Sequence, residues 1–125
     1  MARRVLVVDD SDLIREAAKI ALGLAGWEVE AVASGEAALE AAAARPPDGI
    51  VLDVVMPGLD GPQTLARLRE DPRTADVPVA FLTGQADDDA ARAELTATGA
   101  AVIAKPFALP ALAGQIRDAF GWEAP

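Results

Sequence analysis

Five short apolar runs recur along the chain, at residues 5–8, 27–32, 48–52, 77–82 and 101–104, and a segment with helical spacing of its apolar residues follows each one. This alternation is the strongest constraint on the fold. Parallel strands need long crossovers, and helix-length segments between strands supply them. The pattern therefore predicts an α/β domain, a parallel sheet covered by helices on both faces with right-handed connections. Near-continuous apolar runs are what strands buried on both faces require. The first helix opens at Ser11 or Asp12 with Ile14, Ala17, Ala18, Ala21 and Leu22 on one stripe, and the second covers residues 34–45 before Pro46-Pro47 stops it. The third is expected over 59–70, the fourth over 86–98, and the last carries Leu109, Leu112, Ala113, Ile116 and Phe120 and ends at Gly121. One domain over residues 1–121 with a tail at 122–125 accounts for the chain, and Phe120 and Trp122 are expected to close its core.

With no cysteine and no histidine, the chain cannot form a disulfide scaffold, use a thiol, or supply its own histidine base, nucleophile or metal ligand. A net charge of -9, with Lys19 and Lys105 the only lysines, disfavours coating of nucleic acid, which needs a basic face. The apolar run after Arg3-Arg4 is too short for a signal peptide, and no run approaches membrane-spanning length, so a soluble cytoplasmic protein is expected.

In a parallel sheet, ligands bind in the crevice beyond the carboxyl ends of the strands. Four strand ends here carry polar groups: Asp9-Asp10 after the first, Asp53 after the third, Thr83 after the fourth and Lys105 after the fifth. A lone acid at such a place would serve as a helix cap or a solvated loop residue; four converging groups make a site. Unit charges about 4 Å apart interact by roughly 4 kcal/mol at an effective dielectric near 20, so crowded carboxylates want a cation. Magnesium takes oxygen ligands of this kind, and the absence of histidine and cysteine argues against zinc. A carboxylate beside bound magnesium can attack phosphorus, which makes Asp53 a candidate for an aspartyl phosphate. Lys105 and the Thr83 hydroxyl would then meet the charge on the phosphoryl oxygens. Pro106 either ends the last strand or sets a tight turn that aims Lys105. Gly84 leaves room for a phosphoryl group, whereas Gly58 and Gly61 read as loop glycines.

The motifs VVDDS, VLDVVMPGLDG, FLTG and KPF occur in this order, and through them the chain resembles, end to end, a receiver domain of bacterial two-component response regulators. The resemblance implies an open five-stranded parallel sheet in the order 2-1-3-4-5 with five helices, the flavodoxin-like receiver fold. It implies that Asp53 accepts a phosphoryl group from a phosphohistidine on a histidine kinase or histidine phosphotransfer protein. Magnesium, with manganese able to take its place, would be held by Asp10, Asp53 and the Val55 carbonyl, with Asp9 assisting through water. Thr83 and Lys105 would contact the new phosphoryl group. The donor histidine then belongs to the partner, in keeping with its absence here. No enzymatic turnover is expected beyond self-phosphorylation from small donors and autodephosphorylation.

As nothing recognisable follows the last helix, a stand-alone receiver is expected, monomeric or dimerising on phosphorylation, with no nucleic acid or membrane as partner. Its output would go to a separate protein through the face of the fourth helix, fifth strand and fifth helix, where Arg92, Glu94, Arg117 and Asp118 are candidate contacts. One position departs from the family pattern. Val102 stands where many receivers carry a switch Tyr or Phe, so the switch would use backbone and loop shifts around Thr83 and residues 86–89, or the domain would relay phosphate without a large output change. Val55 and Gln85 fall where receivers tune dephosphorylation, and a valine cannot position a water. Three rival readings stand beside this one. Asp10-Ser11-Asp12 also resembles the opening motif of haloacid-dehalogenase-type phosphatases, which need an acidic pair after the lysine, and only Asp118 and Glu123 remain there. A phosphorylation-free interaction module would be expected to lack one of the acids or the lysine. A flavodoxin-like cofactor binder would need donors where the first turn is acidic.

Overall fold

The computed structural model describes residues 2–105 and 107–122. Met1, Pro106 and residues 123–125 lie outside the described residues, and with them the expected turn at Pro106, most of the tail and Glu123. The elements run β1 (Arg4–Val8), α1 (Asp12–Leu24), β2 (Glu28–Val32), α2 (Gly35–Ala44), β3 (Gly49–Asp53), α3 (Gly61–Glu70), β4 (Val79–Thr83), α4 (Asp89–Thr96), β5 (Ala101–Ala104) and α5 (Leu109–Phe120). All strand pairings are parallel, in the order β2-β1-β3-β4-β5. Every residue of the central strands β1, β3 and β4 is buried, and apart from Arg4, Asp53 and Thr83 at their ends they read as apolar runs.

Alternation along the strands sorts the core into two layers. Leu6, Val8, Ile50, Leu52 and Phe81 face α2 and α3, where Ala38, Ala42, Leu65 and Leu68 meet them, with Leu95 from α4 at the margin. Val5, Val7, Val51, Ala80, Leu82 and Ile103 face the other way, onto Ala18, Ala21 and Leu22 of α1 and Leu112, Ala113 and Ile116 of α5. Phe120 and Trp122 complete this second layer as expected. Trp122 stacks edge-on against Phe120 at 5.1 Å and Trp27 at 5.4 Å, under the Arg3 guanidinium at 4.6 Å. A Cβ at Gly49 would lie 2.6 Å from the Phe120 ring, so glycine is what lets the aromatic group close on the sheet. Among the described residues, no helix is long and apolar enough to cross a membrane.

The starts of α3 and α4 depart from the sequence expectation because side-chain caps, not apolar periodicity, set them. Helix α3 begins at Gly61 instead of 59, since Asp60 accepts the Gln63 N–H at 2.8 Å while the Gln63 side chain accepts the Asp60 N–H at 3.0 Å. Helix α4 begins at Asp89 instead of 86, with Asp88 Oδ1 accepting the N–H groups of Ala90 and Ala91 at 3.0 and 3.1 Å. Strand β4 starts at Val79 instead of 77, after Pro78, which has no N–H to give and offers only its carbonyl, 2.9 Å from the Ile50 nitrogen. Asp53 and Thr83 are the last residues of their strands rather than the first residues beyond them. Phe81 lies fully buried beneath these strand ends. Phe81→Ala should therefore cost about 3–5 kcal/mol, read as a lower urea midpoint with an unchanged slope.

Candidate functional site

Strand register assembles the site. Asp53 pairs with Leu82 across β3 and β4, Thr83 pairs with Ala104 across β4 and β5, and the backbone N–H of Lys105 donates to the Thr83 carbonyl at 2.8 Å. The strand ends of β1, β3, β4 and β5 thereby surround one cavity of about 390 Å³, lined by Asp9, Asp10, Ser11, Asp53, Val54, Val55, Thr83, Gly84, Gln85 and Lys105. All the residues expected from sequence to form the site are in it. Lys105 bridges two of the acids: its Nζ donates to Asp53 Oδ1 at 3.0 Å and lies 2.8 Å from Asp9 Oδ2. The second contact is an ion pair off the hydrogen-bond direction, so Asp9 Oδ2 is fully buried without a hydrogen bond. Asp9 Oδ1 accepts the Ser11 N–H at 2.9 Å. Asp10 is exposed, Asp53 buried, and Val55 lines the cavity with its side chain largely in solvent.

The model of the response regulator receiver domain matches residues 5–117. This chain belongs to the response regulator receiver family. The receiver is 38% identical over 117 residues to the response regulator MprA of Mycolicibacterium vanbaalenii, covering 94% of this chain and 50% of that protein. It is 40% identical over 113 residues to the transcriptional regulatory protein CseB of Streptomyces avermitilis, covering 90% of this chain and 47% of the other. The chain thus spans about half the length of the curated relatives it matches. Among solved structures it is similar to the chemotaxis response regulator CheY4 of Vibrio cholerae, with a TM-score of 0.89 and 32% identity over 95% of this chain and 99% of that one. It is also similar to the receiver domain of a sensor histidine kinase from Pseudomonas aeruginosa, whose structure has a magnesium ion coordinated in the active-site cleft. There the TM-score is 0.85 and the identity 26%, over 97% of this chain and 99% of the other. The sheet order expected for a receiver is the one observed.

The donor set of this receiver fits a hard divalent cation. Asp9, Asp10 and Asp53 each place a carboxylate oxygen within 4.8 Å of the other two, and the buried Asp9 Oδ2 has no hydrogen bond of its own. Three carboxylates face a single ammonium in the cavity lining. Burial pushes the Asp53 carboxyl above its ordinary value; Lys105 opposes the rise and the neighbouring Asp9 charge adds to it. For Lys105, burial pulls the other way, and the two carboxylates outweigh it, so its ammonium is held above the ordinary lysine value.

Two residues that hold the site in place were not legible in the sequence. Arg15, one turn into α1, reaches back to donate to the Asp9 carbonyl at 2.8 Å while pairing with Asp12, and so fixes the acidic turn. Gly61 corrects its reading as a loop glycine. A Cβ there would stand 2.6 Å from the Asp53 carbonyl oxygen and 2.9 Å from the Val54 Cα, so α3 abuts the end of β3 itself. Gly84, by contrast, has open space around it, as expected. Arg92 and Asp118 line a groove of about 560 Å³ over Val102. Arg117 does not join them; its guanidinium lies 5.8 Å from the Trp27 ring, on the α1 side of α5.

An acid whose folded value is raised binds more protons folded than unfolded, so stability falls as pH rises from the ordinary carboxylate value through the raised one. Asp53→Asn removes that penalty. The variant should be more resistant to urea than the wild type at neutral pH, and the difference should shrink as pH falls through the carboxylate range; midpoints measured across that range check both signs.

Proposed function

We propose that Asp53 accepts a phosphoryl group from a phosphohistidine on a histidine kinase or histidine phosphotransfer protein, in a magnesium-dependent reaction, and that the modified domain signals or relays through protein contacts. The supporting observation is the Lys105 ammonium shared by Asp9 and Asp53 at the rim of a three-carboxylate cavity. An Asp53 oxygen attacks phosphorus; the new P–O bond forms as the P–N bond to the donor imidazole breaks and its electrons stay with the ring. Magnesium or manganese would be held by Asp10, Asp53 and the Val55 carbonyl, with Asp9 assisting through water, and would supply positive charge to the phosphoryl oxygens. Lys105 supplies the remaining charge as a donor already in place beside Asp53. The Thr83 oxygen accepts the Gln85 N–H at 3.0 Å, which leaves its hydroxyl proton to donate to a phosphoryl oxygen.

Output on this reading passes through backbone and loop shifts around Thr83 and residues 86–89, toward a separate protein on the face of α4, β5 and α5. Val102 is half-buried against the α2–α3 layer and offers no ring to swing. Hydrolysis of the phosphoryl group depends on Gln85 or is slow, since Val55 cannot orient a water. A phosphatase reading finds no support, because Asp118 lines the groove over Val102 instead of the acidic cavity.

Incubation with acetyl phosphate should add a single phosphoryl group by intact mass in the presence of magnesium and none in its absence. The Asp53→Asn protein should show no gain. Full modification of that variant would overturn the assignment of the acceptor.

A further inference from the structure

The loop of residues 54–60 carries Val55 from Asp53 to α3, and three joints are among the contacts that hold it. At its ends the Gly61 N–H donates to the Val54 carbonyl at 2.9 Å. In its middle the Met56 side chain is buried in the α2–α3 core layer. The third joint belongs to α2. Glu36, in the first turn of that helix, accepts the Leu59 N–H on Oε1 at 3.0 Å. Gly58 turns the chain there with φ +77, and a Cβ on it would stand 2.8 Å from the same Glu36 oxygen. A Cβ on Gly35 would stand 2.2 Å from Thr64 Oγ1 and 2.9 Å from the Leu59 Cβ, so the start of α2 abuts the loop with no side chain between. The Leu59 N–H, followed by the backbone N–H of Glu36 itself, holds the Glu36 carboxyl below its ordinary value.

Resting on the reading of the Val55 carbonyl as a metal ligand, we propose that Glu36 is a positioning residue for the cation site, acting through the Leu59 N–H on the loop that presents that carbonyl. A backbone ligand is aimed only as well as its peptide plane is held, and a loosely supported ligand loses affinity although it is still present. Glu36 lines no part of the acidic cavity; its influence runs along the loop.

The test compares wild type, Glu36→Ala and Glu36→Gln by calorimetric titration with magnesium and by amide exchange at Leu59 in metal-free protein. Glutamine keeps an acceptor oxygen without the charge. Glu36→Ala should raise the magnesium Kd about 3- to 10-fold, at or below the low end for outer-shell partners, with Glu36→Gln within about twofold of wild type. Leu59 exchange should quicken in the alanine variant and recover in the glutamine variant. An unchanged Kd in Glu36→Ala beside tight wild-type binding would overturn the inference and leave the metal reading intact. Unchanged Leu59 exchange in Glu36→Ala, or a glutamine variant as weak as the alanine one, would overturn it too, the latter by making charge and not the hydrogen bond responsible. Wild-type protein that binds no magnesium would sink the metal reading and this inference with it.

Discussion

The Lys105 ammonium between Asp9 and Asp53 is the contact on which the site depends, because it ties its own strand end to two others whose carboxylates repel. Asp9 follows β1, Asp53 ends β3, and Lys105 follows β5, so one cation links three separate segments of chain. Two buried carboxylates side by side are costly unless something positive stands between them. The parallel sheet makes the arrangement possible by bringing every carboxyl end to the same edge, and the fully buried strands beneath leave those ends little freedom to relax apart. What remains is a cavity whose three carboxylates outnumber its one ammonium by two, which suits a divalent cation.

Much of this was legible in the sequence, for a physical reason. A strand buried on both faces has to be apolar over its middle, so β1, β3 and β4 announce themselves, and a polar residue ending such a run stands out against it. The site followed from that contrast alone: Asp53, Thr83 and Lys105 were placed by their position at run ends, and the structure brings them into one cavity. Helix starts were less legible, since Asp60 and Asp88 fix them by local hydrogen bonds that compete with the apolar pattern.

What sequence reading missed was close approach between elements far apart in the chain. Gly61 resembled any loop glycine until the Asp53 carbonyl was found against it, and Glu36 resembled any exposed helix acid until the Leu59 N–H was found on it. Arg15 and Arg117 both carry ordinary spacing for solvated arginines. Only the packing shows that one holds the acidic turn and the other lies against Trp27.

The helices are not anchored equally. Helix α4 is eight residues long and buries one of them, Leu95, while α5 buries Leu112, Ala113 and Ile116. Burying a leucine is worth about 1.5–3 kcal/mol, and a hydrogen bond to a charged group is worth about the same, roughly 1.5–3 kcal/mol. The two quantities are matched. Helix α4 is therefore the least anchored of the five helices, and a single new polar contact at the strand ends is comparable in size to the burial of its one buried side chain. On the proposed output reading, a response along this edge needs no aromatic lever, because so little holds that helix down.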